Sequence, residues 1–310
     1  MSRRRKSWVL VAPLAFLLGA CAAGAPAKTE SESMAMPLPA PPIAAVRPHE
    51  VVSPNGTRVD EYYWLRDDTR TSKEVLGYLE AENAYKALMT AHTKALEDRV
   101  YGEIIARVRQ DDSSVPYRKR GYWYYTRFET GKEYPIYARK AGNLEAAEQL
   151  MLNSNQQAEG HGFYQVGATA MAPNDRLFAY VEDIVGRRQF RLRVKDLETG
   201  ETLPDVIENV DPTIAWTADS ASVLYVEKHS ETLLGYRVRR HVLGTDPASD
   251  VLIYEQDDGS FYTEVKKTKD ERYLLIVAES TVSTEVRYAD AADPDLKFRV
   301  FLPRERDHEY

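Results

Sequence analysis

The sequence predicts a mainly β protein, a run of β-propeller-type blades preceded by an N-terminal α-helical segment, and three observations carry that reading. Beyond Tyr117 apolar residues recur with a period of two, as in "GYWYYTRFETGKEYPIYARK", the spacing of strands whose side chains alternate between faces. Further on, "APNDRLFAYVE" at 172–182, "TADSASVLYVE" at 217–227 and "TKDERYLLIVA" at 268–278 align without gaps, at offsets of 45 and 51 residues. A period of about 40 to 50 residues is that of four-stranded propeller blades. Before the period-two region, Leu96, Val100, Ile104 and Val108 fall at intervals of four, which marks a helical stripe.

The elements follow in chain order. In residues 1–20, "MSRRRKSWVLVAPLAFLLGA", Arg3, Arg4, Arg5 and Lys6 precede an apolar run from Trp8 to Ala20. That run is too short for a helix to cross a bilayer, which needs about 20 residues, so it reads as an export signal. The arginine triplet fits twin-arginine export as well as the general route. Leu18-Gly19-Ala20-Cys21 resembles the bacterial lipobox, in which the cysteine is acylated before cleavage, and Cys21 is the single cysteine of the chain. Cys21 is therefore expected to be the lipidated mature N terminus. Ala22, in place of an aspartate associated with inner-membrane retention, points to the outer membrane and to a periplasm-facing lipoprotein. Residues 21–48 are small, polar and proline-rich, the composition of an extended tether. Acyl chains would anchor it at about 0.8 kcal/mol per buried methylene.

Composition bounds the rest. The chain has 310 residues, 43% of them hydrophobic, enough to bury a sizeable core. Its formal charge is -7; without residues 1–20 there remain 37 basic against 48 acidic residues, or -11. That balance argues against nucleic acid as a general partner. Twenty tyrosines against eight phenylalanines favour strands with one packed and one wet face.

Residues 49–112 form the expected helical segment. After "DEYYWLRDD", Thr71 and Glu74 have the spacing of a capping box, and Val75, Tyr78, Leu79, Tyr85, Leu88 and Met89 mark one apolar face. With the Leu96 stripe this makes two amphipathic stretches, and each needs a partner surface. Residues 113–310 hold the strands. Glu129-Thr130-Gly131-Lys132 is the expected reversal of the first hairpin. Each repeat copy is an Asn or Asp turn feeding an apolar strand, followed by a second strand ("FRLRVKDLETG", "YRVRRHVLGTD", "EVRYADAADPD") that ends in an acidic turn with Gly or Pro. With the hairpin at 121–140 the three units make about four blades. A β-sandwich of loosely similar hairpins is the alternative arrangement of the same strands.

Taken together, "RVRQDDSSVPYRKRGYWYYTRFETGKEYPIYARK", "GTDPASDVLIYEQDD" and "VFLPRERDHEY" resemble the N-terminal half of the oligopeptidase B-like members of the prolyl oligopeptidase family of serine peptidases. The resemblance spans about residues 45–310. It implies a seven-bladed propeller capping an α/β-hydrolase domain, with a Ser-Asp-His site that admits short peptides and cuts after Lys or Arg. "DEYYWLRDD" resembles the family's entry motif, where the chain first packs on the peptidase domain. Oligopeptide substrates and a C-terminal peptidase domain are the partners so implied.

The sequence also departs from that family. No G-x-S-x-G elbow, which would expose a nucleophilic serine on a sharp turn, occurs in it. His49, His92, His161, His229, His241 and His308 are scattered and read as surface or packing residues. No metal-ligand spacing and no Gly-rich phosphate loop appears, so no catalytic, cofactor or metal residue is assigned. A propeller closes only when its last blade meets its first. Four blades of seven therefore read as a chain cut near "VFLPRERDHEY" and inactive by itself. The alternative is a non-enzymatic, lipid-anchored scaffold or binding protein.

Overall fold

The computed structural model describes residues 39–230 and 232–310; the export signal, Cys21 and most of the tether lie outside the described residues. Two compact units divide the chain between Ile105 and Ala106.

The first unit opens with a hairpin, β1 (His49–Ser53) and β2 (Gly56–Asp60). The "DEYYWLRDD" segment then folds back on the chain before β1: Trp64 Nε1 donates to Ala45 O at 2.8 Å, and Arg47 N donates to Glu61 O at 2.9 Å. Helix α1 (Lys73–Met89) follows, but its cap differs from the expected capping box. Ser72, not Thr71, is the N-cap and accepts from Val75 N; Asp67 Oδ2 fixes it by accepting from Ser72 N at 2.7 Å. Glu74 is drawn away from the cap by Arg47, whose guanidinium forks onto it and also lies 4.6 Å from the Trp64 ring. In α2 (Lys94–Ile105) no residue is buried, and in α1 only Val75 is. Leu96 and Ile104 stay 51% and 53% exposed. The fourth stripe residue, Val108, lies past the end of α2.

The second unit is built from strands. One four-stranded antiparallel sheet comprises β3 (Tyr117–Lys119), β4 (Tyr122–Arg127), β5 (Ile136–Ala141) and β6 (Glu148–Asn153). The expected reversal joins β4 to β5, with Lys132 N donating to Glu129 O and Gly131 at φ 75°. A seven-stranded sheet holds β7 (Gln165–Met171), β8 (Leu177–Asp183), β9 (Phe190–Asp196), β10 (Thr202–Trp216), β11 (Ser222–Lys228), β12 (Gly235–Val242) and β13 (Val251–Glu255) in chain order. A second four-stranded sheet ends the chain: β14 (Tyr262–Lys267), β15 (Tyr273–Glu279), β16 (Thr284–Asp290) and the two-residue β17 (Arg299–Val300). The polar tail after Pro303 adds no strand; it folds onto the start of β16, where Thr284 N donates to His308 O at 3.0 Å.

These sheets are four blades, because the seven-stranded one is two blades sharing β10. The first part of β10 pairs with β9 as the outer strand of one blade, and the rest pairs with β11 as the inner strand of the next. Val210 is the pivot, paired with Phe190 on one side and Glu227 on the other, with Asn209 beside it at φ 57°. Bulges on both sides of the pivot turn the strand. Gly167 on β7 makes room for this crossing, since a Cβ there would stand 2.7 Å from both the Phe190 ring and Pro212 Cβ.

Stacking the blades explains the repeat. Along β8, Phe178 and Tyr180 join Tyr124 and Met151 of the first blade, whereas Ala179 and Val181 join Trp216 and Val223 of the third. Along β11, Val223 and Tyr225 face backward in the same way, and Leu224 and Val226 pack forward on Val265 and Leu274. A middle strand buried on both faces must be a continuous apolar run, which is why "LFAYVE" and "SVLYVE" do not alternate.

Candidate functional site

The site grows out of the turns that link each blade's inner strand to its second strand. In the three repeat copies an Asx or Thr side chain closes the turn. Asn174 Oδ1 accepts from Arg176 N, Asp219 Oδ1 from Ala221 N, and Asp270 Oδ1 from Arg272 N, at 3.0, 2.9 and 3.2 Å. The next residue of each copy, Asp175, Ser220 or Glu271, is left-handed, with φ of 55°, 61° and 63°; Arg120 holds the same place in the first blade at φ 52°. Such a conformation costs a non-Gly residue about 1 kcal/mol or more, so its side-chain contacts must offset that cost.

They do so by meeting one another. Arg120 Nε lies 2.7 Å from Asp175 Oδ1 and its Nη1 2.6 Å from Glu271 Oε2, while Nη2 donates to Ala172 O at 2.9 Å. Lys119 Nζ reaches Glu271 at 2.8 Å, and Asn174 N donates to Ser220 Oγ at 3.0 Å. One guanidinium thus joins the turns of the first, second and fourth blades. Burial works to raise the Glu271 pKa, but the hydrogen bonds from Lys119 and Arg120 prevail and hold it below the ordinary value.

Beside this ring lies a cavity of about 360 Å³, lined by the inner strands together with β4, β5, β6 and β8. Tyr117, Tyr124, Tyr137, Phe178 and Trp216 form aromatic walls, and Lys119, Lys267 and Glu271 bring charge to it. Burial lowers the Lys267 pKa. Among the described residues no group of three or more His, Cys, Asp or Glu is placed to hold a metal ion.

The fold has known counterparts. The profile of the prolyl oligopeptidase N-terminal β-propeller domain matches residues 41–310. The chain belongs to the prolyl oligopeptidase family. Among members of the family, it is 48% identical over 286 residues to dipeptidyl aminopeptidase BI of Pseudoxanthomonas mexicana, a match covering 87% of this chain and 39% of that protein. It is 30% identical over 262 residues to protease 2 of Moraxella lacunata, of which it covers 37%. The structure of oligopeptidase B from Leishmania major superposes with a TM-score of 0.80 at 32% identity, covering 86% of this chain and 40% of that one. The chain therefore spans about two-fifths of the length of these prolyl oligopeptidase relatives.

Cys21 lies outside the described residues. His49 stacks on Tyr63 at 4.2 Å, His92 Nδ1 meets Met89 O at 3.1 Å, and His308 bridges to Ser283 through its backbone. His241 is different, for it is fully buried between Asp205 and Asp250, with Nε2 2.9 Å and Nδ1 2.8 Å from their Oδ1 atoms. Tyr225 Oη donates to Asp250 Oδ2 at 3.0 Å and Gly244 N to Asp205 Oδ1 at 2.6 Å. Both ring nitrogens face carboxylates, leaving neither to activate a hydroxyl. Because Asp205 comes from β10 and His241 from β12, the cluster staples the second blade to the third.

Proposed function

We propose that the chain is the N-terminal propeller portion of an exported, oligopeptidase B-like serine endopeptidase that hydrolyses short peptides after Lys or Arg. Its nucleophile, base and acid come from sequence outside residues 1–310, so this polypeptide alone is inactive. The observation that carries the reading is the match to the family's N-terminal propeller domain over residues 41–310, in a chain about two-fifths as long as its relatives. The bare faces of α1 and α2 support it. Burying a Leu, Ile or Val completely contributes roughly 1.5 to 3 kcal/mol; Leu96, Val100 and Ile104 are about half exposed, so together they have roughly 2 to 4.5 kcal/mol still to gain, a sizeable part of a domain's whole stability of about 5 to 15 kcal/mol. A peptidase domain seated on that face would recover it.

The relatives divide on how the peptide is cut. A Trypanosoma brucei oligopeptidase B was solved with covalently bound antipain, whereas the relative 48% identical to this chain is named a dipeptidyl aminopeptidase. The second reading is thus release of dipeptides from free amino termini. A polypeptide extending this chain through a G-x-S-x-G elbow, assayed on arginyl aminocoumarin peptides, separates the two. The endopeptidase reading expects turnover whether the amino terminus is blocked or free. Turnover confined to free-terminus dipeptide substrates would replace it with the second, and no turnover with either would leave the lipid-anchored scaffold.

Export rests on the N-terminal sequence. Mass spectrometry of the exported protein is expected to find Cys21 as the acylated first residue; an unmodified Cys21, or cleavage elsewhere, would contradict the lipoprotein reading.

A further inference from the structure

The charges around the cavity do not balance. Lys119, Lys267 and Glu271 line it. Arg120 binds Glu271 and Asp175, and Asp175 accepts from Tyr124 Oη at 3.3 Å. Behind the wall Arg139 is 2% exposed and has no carboxylate partner among the described residues. It donates instead to Gln149 Oε1 at 2.8 Å, Tyr124 Oη at 3.3 Å and Met171 Sδ at 3.6 Å, with the Tyr122 ring 3.9 Å away. A further carboxylate near the walls, Glu148, accepts from Tyr125 and is forked by Arg127. Lys119, Arg120, Arg139 and Lys267 therefore stand against Asp175 and Glu271, with Asp219 the one further carboxylate that acts on Lys267. In a chain of net charge -7, that is a local reversal of sign.

Lys267 is the cation left over. Its neighbour Lys266 points to the opposite face, as alternation on a strand requires, and pairs with Glu264 at 2.6 Å. Glu271 is taken by Lys119 and Arg120, and Lys267 makes no ion pair among the described residues. The charges that act on it are Glu271, Lys119, Arg120 and, last, Asp219. A half-buried lysine that lines a cavity and has no carboxylate paired to it is placed to serve as counter-ion to an anion. Tyr117 and Tyr137 line the same cavity, and their hydroxyls have no hydrogen-bond partner among the described residues.

We infer that this cavity binds a carboxylate carried on an aromatic or apolar residue, as at the free C terminus of a short peptide, with Lys267 as its counter-ion. The volume, about 360 Å³, lies at the small end of ligand pockets, which run from roughly 300 to 1,000 Å³. Tyr137, Phe178 and Trp216 offer an apolar wall to the residue's body. One ammonium and two phenol hydroxyls match the two oxygens of a monoanion; a phosphate would bring a second charge beside Glu271. Only the origin of the ligand rests on the peptidase reading, because binding is measured on this chain without turnover.

Titration calorimetry of the full chain with N-acetyl-phenylalanine, its amide, acetate and inorganic phosphate tests the site. The acid is expected to bind at least tenfold more tightly than the amide or acetate, and more tightly than phosphate. Lys267→Met should reduce acid binding at least tenfold, to the level of the amide, whereas Lys266→Met should leave it unchanged. Should Lys267→Met fail to fold, acylation of Lys267 in the wild-type chain, read by mass spectrometry, should be slowed by the acid and not by the amide. Equal binding of acid and amide, acid binding that survives Lys267→Met, no protection of Lys267, or a preference for phosphate or bare acetate would each overturn the inference.

Discussion

Replacing His241 by leucine is expected to lower the unfolding free energy by about 3 to 5 kcal/mol at neutral pH, the usual effect of removing one partner from a buried charge cluster. The imidazole is wholly buried and stands between two carboxylates whose side chains are 3% and 1% exposed. Leucine fills similar space but donates nothing. Asp205 would keep Gly244 N, and Asp250 would keep Tyr225 Oη, yet each buried carboxylate would lose its imidazole partner. The pH dependence separates this cause from a packing defect. In the wild-type protein burial works to raise the Asp205 pKa, but the hydrogen bonds from His241 and Gly244 outweigh it and hold the pKa below the ordinary value. A depressed folded pKa contributes stability above the unfolded value, about 3.9, and that contribution is lost as pH falls through the folded value. Wild type should therefore weaken below about pH 4. The leucine variant lacks the imidazole hydrogen bond behind that depression, so the deficit should shrink as pH falls through the folded value. Denaturant unfolding at pH 7 and at about pH 2.5, below the unfolded value, reads both quantities. A deficit under 1 kcal/mol, or one independent of pH, would count against the staple.

Arg120→Met should cost about 2 to 3 kcal/mol. Breaking a buried ion pair typically costs about 3 to 5 kcal/mol, but the partners here are 21% to 23% exposed and Lys119 still serves Glu271. The left-handed backbone at residue 120 is the same in both proteins, so the difference reports the side chain. Adding Asp175→Asn and Glu271→Gln to the variant removes the carboxylates left behind and should recover at least half of the loss. Failure of the triple variant to recover any stability would mean that the ring is not held by charge. Coupling of this kind joins residues 151 positions apart, and only a cycle of single and combined variants isolates it.

The blades were legible in the sequence because stacked sheets repeat the same burial problem. Each copy needs a turn closed by Asn or Asp and a middle strand apolar on both faces, and "APNDRLFAYVE" states both. The helices were legible for the same reason, down to the stripe that stays uncovered. The sharing of β10 was not, since no repeat copy covers "ETLPDVIENVDPTIAW", and the structure places both of its prolines, Pro204 and Pro212, in one bent strand. The cap of α1 slipped by one residue because Asp67, rather than a box partner, holds Ser72 N. The site was the least visible part. Arg120 follows the first inner strand in "RKRG" with no Asx turn before it, so the alignment of the three copies does not reach it. Lys267 differs from Lys266 only in the face it takes, and a one-residue register shift would exchange them. His241 looks like any of six scattered histidines until the fold brings Asp205 to it from the neighbouring blade. The one available signal was the residue after each turn Asx, where Asp175, Ser220 and Glu271 share a place that a compact left-handed turn exposes to its neighbours.

The central claim is that this chain is the propeller portion of a serine peptidase whose catalytic residues lie outside residues 1–310, and a fluorophosphonate probe tests it most directly. Such a probe bonds covalently to a serine only where a base activates the hydroxyl and an oxyanion site accepts the developing charge. Peptide mapping after labelling is predicted to find no modified serine in residues 1–310, and a single modified serine, in a G-x-S-x-G elbow, in a polypeptide that extends past Tyr310. Stoichiometric labelling of a serine within the 310-residue chain, lost when a histidine beside it is replaced, would contradict the account.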